Sequence, residues 1–158
     1  MILVSACLLG IRAKYDGGDN TVNKLVNLCA TGKVIPVCPE QLGGLTTPRP
    51  AAEIKGGSGA DVLKGMARVY NKEGVDVTES FIIGAQEILK ICRLYSVKAA
   101  ILKERSPSCG CNMIYDGTFQ SVRLPGQGVA AALLAANAIP VYSEEELTDE
   151  LLAHLVKG

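Results

Sequence analysis

Tryptophan is absent and phenylalanine occurs twice in the 158 residues, so aromatics make up only 4% of the chain. A core without large rings must be aliphatic, as in buried parallel sheets covered by helices. Histidine occurs once, as His154 near the C-terminus. Cys–His and Ser–His–Asp hydrolases need a histidine beside the nucleophile, and one residue in a terminal helix argues against both. Net charge is also lacking: 16 basic and 16 acidic residues cancel. Such a chain does not carry the electrostatic footprint of a dedicated nucleic-acid binder. No apolar run reaches the ~18 residues that a membrane span needs. Met1-Ile-Leu-Val-Ser5 has no basic n-region, so a secretory signal is not expected. These absences predict a cytoplasmic protein with no membrane partner.

The chain is 48% hydrophobic and 20% charged, which excludes a disordered polymer. Its length suits one domain over residues 1–158, with a sizeable core. Six cysteines are present. In a reducing compartment they point to metal, cluster or catalytic chemistry and not to disulfides.

The first predicted strand is Ile2 to Ala6, ending at Cys7. A loop with the turn Tyr15-Asp-Gly-Gly18 follows. Asp19 or Asn20 is placed to cap a helix running to about Thr31, with Val22, Leu25, Val26 and Cys29 on its apolar face. Gly32 ends that helix, and Lys33 to Val37 is the second strand, running into Cys38-Pro-Glu40. Residues 41–59 read as a long loop. Met66 to Tyr70 and Val75 to Val77 read as a hairpin around Asn71-Lys-Glu-Gly74. Thr78 caps the strongest helix, whose stripe is Phe81, Ala85, Ile88, Cys92 and Tyr95. Val97 to Leu102 is a buried strand. Lys103-Glu-Arg-Ser-Pro-Ser-Cys-Gly-Cys111 follows as a rigid loop, then a weak strand or hairpin over 113–122. Pro125-Gly-Gln-Gly128 opens an alanine-rich helix to about Asn137. Ile139 to Tyr142 is a last short strand, and Ser143 is placed to cap the C-terminal helix.

Strands alternating with helices predict an α/β fold: a three-layer αβα, Rossmann-like domain with a mainly parallel sheet. Ligands bind such folds beyond the carboxyl ends of the strands. Cys7, Cys38 and Cys109 each follow the carboxyl end of a predicted strand, so their thiols are expected to converge. Cys29 and Cys92 fall on helix stripes and are expected to be core thiols. Three thiolates suit an iron–sulfur cluster or a zinc ion, with Cys111 a possible fourth ligand. Glu40 stands close to the proposed metal, where a carboxylate can move protons. Ser106 and Ser108 can position substrate or water, or simply brace the turn. Gly126-Gln-Gly128 can offer N–H groups to an anion at a helix start. Arg12, Arg49, Lys103 and Arg105 flank the site or lie on the surface.

Ser5-Ala-Cys-Leu-Leu-Gly10, Tyr15-Asp-Gly-Gly18, Val37-Cys-Pro-Glu40, Gly43-Gly-Leu-Thr-Thr-Pro-Arg-Pro50 and Ser106-Pro-Ser-Cys-Gly110 resemble, in order, the signatures of the thiouracil desulfurase family. The resemblance spans nearly the whole chain. It implies a [4Fe–4S] cluster on Cys7, Cys38 and Cys109 with one iron left free for the sulfur of a thiolated pyrimidine. It also implies Glu40 as acid/base and Ser106 as the hydroxyl that positions substrate, with Ser108 an alternative for that role. Water then replaces sulfur, releasing sulfide without net redox change. Many relatives carry a cysteine in the loop before Tyr15, where this chain has Ala13, which favours three ligands over four. Without a basic surplus, a free base or nucleoside is the expected substrate. Two other readings stay open: a zinc or cluster-binding module using Cys111, and a sulfur carrier with Cys109 reactive and Cys111 resolving.

Overall fold

β1 (Ile2–Ser5) is buried along its whole length and lies inside the central sheet. The computed structural model describes residues 1–157. In chain order β1 is followed by α1 (Asn23–Leu28), β2 (Val34–Val37), α2 (Pro39–Leu42) and β3 (Ala52–Lys55). Next come α3 (Gly59–Leu63), β4 (Arg68–Asn71), α4 (Thr78–Leu94) and β5 (Ala99–Leu102). β6 (Met113–Tyr115), β7 (Arg123–Pro125), α5 (Val129–Ala136), β8 (Val141–Ser143) and α6 (Asp149–Lys157) complete the chain.

The central sheet has the order β2-β1-β5-β8. All three pairings are parallel, with Leu3 opposite both Ile35 and Ala100. Alternate side chains leave on opposite faces, and the two cores follow that alternation. Leu3, Ala100 and Leu102 pack with Phe81, Ala85 and Ile88 of α4 and Val129, Ala131 and Leu134 of α5. Ile2, Val4 and Ile101 pack with Leu25 of α1 and Leu152 of α6. The result is a mainly parallel sheet between helical layers, the α/β architecture expected.

Several local expectations change. Asp19 does not cap a helix. Its Oδ1 accepts from Thr21 N at 3.0 Å, a local turn, and α1 starts later, at Asn23. α1 then tightens into a 3-10 turn at Cys29–Thr31, which swings Cys29 to the surface. Cys29 is therefore not a core thiol, whereas Cys92 is buried. The expected long loop contains β3 and runs between the last residues of α2 and the start of α3; β3 takes β4 as its antiparallel partner. Val75 to Val77 contributes only a single bridge, Tyr70 to Asp76. Thr78 turns its hydroxyl to Val69, accepting from its N–H at 2.8 Å, instead of capping α4. α4 ends at Leu94, so Tyr95 lies outside the stripe and is 57% exposed. Ser143 caps a short 3-10 turn over Glu144–Glu146, not α6.

One close approach sets the position of α2. A Cβ on Gly43 would collide with the Ser80 carbonyl, and one on Gly84 with the Pro39 carbonyl. These two glycines let α2 and α4 touch backbone to backbone. α2 carries Glu40, so the contact also sets where that carboxylate stands.

Candidate active site

A cavity of about 480 Å³ opens where the central strands end, lined by Ser5 of β1, Val37 of β2 and Lys103 after β5. That volume is typical of small-molecule sites. Cys7, Cys38 and Cys109 all line it, as the strand ends predict. Cys7 sits in a 3-10 turn over Ala6–Leu9, closed by Gly10 at φ 85°, where a left-handed backbone favours glycine. Cys38 is the residue from which α2 starts. Cys109 hangs from the turn after Glu104, its N–H donated to Ser106 Oγ at 3.1 Å.

Burial pushes the Cys7 and Cys38 thiols above the usual range. For Cys7 the Asn20 side chain works against that rise. Burial pushes Cys109 up to about 12, opposed by the nearby Ser5 and Ser108 hydroxyls. Each of these thiols therefore has a polar side chain at hand.

Glu40 is held from both sides. Its Oε1 accepts from Arg49 Nε at 3.0 Å and its Oε2 from Ser108 Oγ at 2.9 Å. Ser108 is buried, whereas Ser106 is half-buried and lines the cavity. Their hydroxyls lie 3.0 Å apart. A hydroxyl has one proton to donate. With the Ser108 proton on Glu40, Ser106 must donate to Ser108. The three groups, all on the cavity wall, thus form a hydrogen-bonded chain from Ser106 through Ser108 to the carboxylate, so both serines have a place in it. Ser106 also braces the turn by accepting from Ser108 N at 3.2 Å.

Glu104 was not singled out from the sequence. It is 3% exposed. Its Oε1 accepts from the N–H groups of Cys111, Asn112 and Met113 at 2.9, 2.9 and 3.1 Å, and from Arg105 N at 3.3 Å. Its Oε2 accepts from Asn112 Nδ2 at 3.0 Å. Burial alone would raise this carboxyl, but the N–H donors outweigh it and hold the group at about 2. Glu104 is the knot that ties the loop carrying Cys109.

Other expected features are placed elsewhere. The start of α5 has no free donors for an anion. Gly128, Val129 and Ala130 donate to the carbonyls of Gly110, Pro107 and Ser108 at 2.8, 2.9 and 2.9 Å. Those bonds dock the cysteine loop on the helix instead. Cys111 is buried outside the cavity lining, with Sγ donating to Cys109 O at 3.5 Å. Lys103 and Arg105, by contrast, line the cavity as expected, Lys103 pairing with Glu144 at 2.9 Å and Arg105 with Glu145. Arg12 and His154 are exposed.

The fold and cavity define a class: an α/β protein whose ligand site, at the carboxyl edge of a parallel sheet, is lined by thiols, a carboxylate and hydroxyls. Comparison with known proteins makes this specific. The 2-thiouracil desulfurase family model matches residues 2–146, and the chain belongs to that family. It is 47% identical over 151 residues to the uncharacterized protein YbbK of Bacillus subtilis (strain 168), covering 96% of this chain and all of YbbK. It also superposes on a solved structure, the [4Fe-4S]-dependent thiouracil desulfidase TudS, with a TM-score of 0.84. That match is 41% identical in sequence and covers 99% of this chain and 97% of the other.

The residues present fit a cluster: Cys7, Cys38 and Cys109 are three thiols around one cavity, the donor type an iron–sulfur cluster takes.

Proposed function

We propose that this chain is an iron–sulfur enzyme that removes sulfur from a thiolated pyrimidine such as 2-thiouracil, giving the oxo base and sulfide. The observation that carries the proposal is the meeting of Cys7, Cys38 and Cys109 with Glu40 and Ser106 on one cavity. Family membership and the likeness to a [4Fe-4S]-dependent thiouracil desulfidase support it.

In this reading Cys7, Cys38 and Cys109 are the protein ligands of a [4Fe–4S] cluster. Such a cluster, with one iron free of protein ligands, supplies a soft Lewis-acid site for a thiocarbonyl sulfur. The chain's own residues handle binding and protons. Ser106, at the end of the hydroxyl chain away from Glu40, positions the pyrimidine ring. Glu40 takes the proton from the attacking water, directly or through Ser108, and returns it as the carbon–sulfur bond breaks. The balance is one water consumed, one carbon–oxygen bond formed and one sulfide released. Arg49 and Ser108 keep the Glu40 carboxylate from rotating during both transfers. Tyr15 and Phe119 stand at the cavity wall, where rings can stack on a planar base. The protein is proposed to act in the cytoplasm on a free base or nucleoside.

The test is anaerobic reconstitution followed by a sulfide assay with 2-thiouracil. Stoichiometric uracil and sulfide are expected. A protein with its full iron and sulfide complement that releases neither product refutes this substrate class.

A further inference from the structure

The cavity wall contains one buried cation whose contacts extend beyond its hold on Glu40. The Arg49 side chain is only 5% exposed. A guanidinium has five N–H donors in a planar fork, and all five are engaged here. Nε donates to Glu40 Oε1 at 3.0 Å. Nη1 donates to Thr47 Oγ1 at 2.8 Å and Thr46 O at 3.2 Å. Nη2 donates to Ala13 O at 2.9 Å and to the Cys38 sulfur at 3.8 Å. A loop anchor could dispense with two of these bonds, since the Thr46 and Ala13 carbonyls and the Thr47 hydroxyl already tie the fork down. The remaining two reach the groups on which the proposed function depends.

Building on that function, we propose that Arg49 is a positioning residue joining the acid/base carboxylate Glu40 to the ligand thiolate Cys38, and that its N–H···S bond sets the reduction potential of the cluster. A planar fork is what the geometry demands. One face of the guanidinium edge meets a carboxylate while the neighbouring nitrogen meets sulfur, with fixed separation between the two. Lysine carries the same charge but no fork, and cannot hold both partners in register. Hydrogen bonds and positive charge next to cluster sulfurs stabilise the more negative, reduced state and raise the potential. The same link explains how Glu40 keeps one oxygen turned to Ser108: the other is pinned by Nε.

The experiment compares anaerobically reconstituted wild type, Arg49→Lys and Arg49→Gln at equal iron and sulfide per chain. Potentials are read by titration followed by electron paramagnetic resonance, and sulfide release from 2-thiouracil gives kcat and KM. Arg49→Lys is expected to shift the potential downward, and Arg49→Gln further, because it loses charge as well as the sulfur bond. Because Glu40 is released from its aim, kcat should fall about tenfold or more in both variants, with KM little changed. Loaded variants with an unchanged potential overturn the proposal. So does a raised KM at unchanged kcat and potential, which makes Arg49 a substrate contact only. If neither variant loads a cluster, the wild type decides. With ¹⁵N-arginine label, hyperfine coupling between one arginine nitrogen and the reduced cluster is expected, and its absence overturns the proposal. A loaded wild type that shows the coupling but leaves thiouracil untouched refutes the proposed substrate and retains the sulfur bond. A wild type that takes up no cluster refutes both.

Discussion

Replacing Glu104 by glutamine tests whether one buried carboxylate shapes the Cys109 loop. The carboxyl is held at about 2 against an ordinary 4.5. At 1.36 kcal/mol for each pH unit, that difference is worth about 3 kcal/mol of stability at neutral pH. The side chain is 3% exposed, so little of it is screened by solvent. Glutamine retains one acceptor for the backbone donors. Its amide nitrogen, however, would face Asn112 Nδ2, donor against donor, where Glu104 Oε2 now accepts at 3.0 Å. Because the folded state holds the carboxyl below its unfolded value, the stabilisation is fully present above pH 4.5. It is lost as pH falls from there toward 2. Urea unfolding of the cluster-free protein under reducing conditions should therefore show Glu104→Gln less stable by about 3 kcal/mol at pH 7. The gap should narrow to about 2 kcal/mol at pH 3.5, about one unit below the unfolded carboxyl's midpoint. For a chain of this length the melting point should fall by about 6 to 12 °C at neutral pH. A gap below about 1 kcal/mol at pH 7, or one that does not change between the two pH values, refutes the reasoning.

Further outcomes follow from the same contacts. Gly84→Ala places a methyl against the Pro39 carbonyl and should cost about 1–3 kcal/mol by thermal melting. The same variant should lower iron retention, since α2 carries both Cys38 and Glu40 at its start. Ser108→Ala breaks the hydroxyl chain to Glu40. It should reduce sulfide release about tenfold to a hundredfold, measured at full cluster loading. Cys111→Ala should leave iron and sulfide content at the wild-type level, because that thiol faces the Cys109 carbonyl outside the cavity. Loss of the cluster on this change would instead make Cys111 a ligand. Cys29→Ala, at an exposed site, should change stability by less than about 0.5 kcal/mol and leave iron content unchanged.

The central sheet was legible because its strands are short apolar runs separated by helical periodicity. Ile2 to Ser5 and Ala99 to Leu102 are buried on both faces, which is what makes such runs continuous. From those strand ends the meeting of residues 7, 38 and 109 could be read, since position beyond a strand's carboxyl end depends on topology and not on local detail. The misreadings occur where tertiary contacts decide. Cys29 sits on an apolar stripe, but the last turn tightens to 3-10 and turns it outward. β3 alternates, Ala52-Glu-Ile-Lys55, but over only four residues inside a stretch rich in Gly, Pro and Thr, and it becomes a strand because β4 offers it a partner. Glu104 looked like one more loop charge. Its signal was its place two residues after a fully buried strand, ahead of a turn with two cysteines and a glycine. Arg49 lies in a Thr-Thr-Pro-Arg-Pro run that gives no hint of burial; only the folded loop shows its five donors engaged.

Glu104 and Arg49 perform the same physical task on different loops. The Cys109 loop gathers its N–H groups around a buried carboxylate, Glu104. The loop that approaches Cys38 gathers its acceptors around a buried guanidinium, Arg49. An unpaired buried charge is costly, so each loop is driven into the one conformation that surrounds its charge with partners. Among the described residues no buried side-chain nitrogen or oxygen lacks a partner. Two of the three thiols on the cavity are thereby positioned by charges that belong to the chain. The third, Cys7, needs no such charge: it follows β1 directly, with its carbonyl accepting from Asn20 N at 2.9 Å and Gly10 N at 3.3 Å. A site whose ligands are fixed in this way loses little conformational entropy on taking up a cluster. The strand end fixes one corner of the cavity, and the two buried charges fix the others.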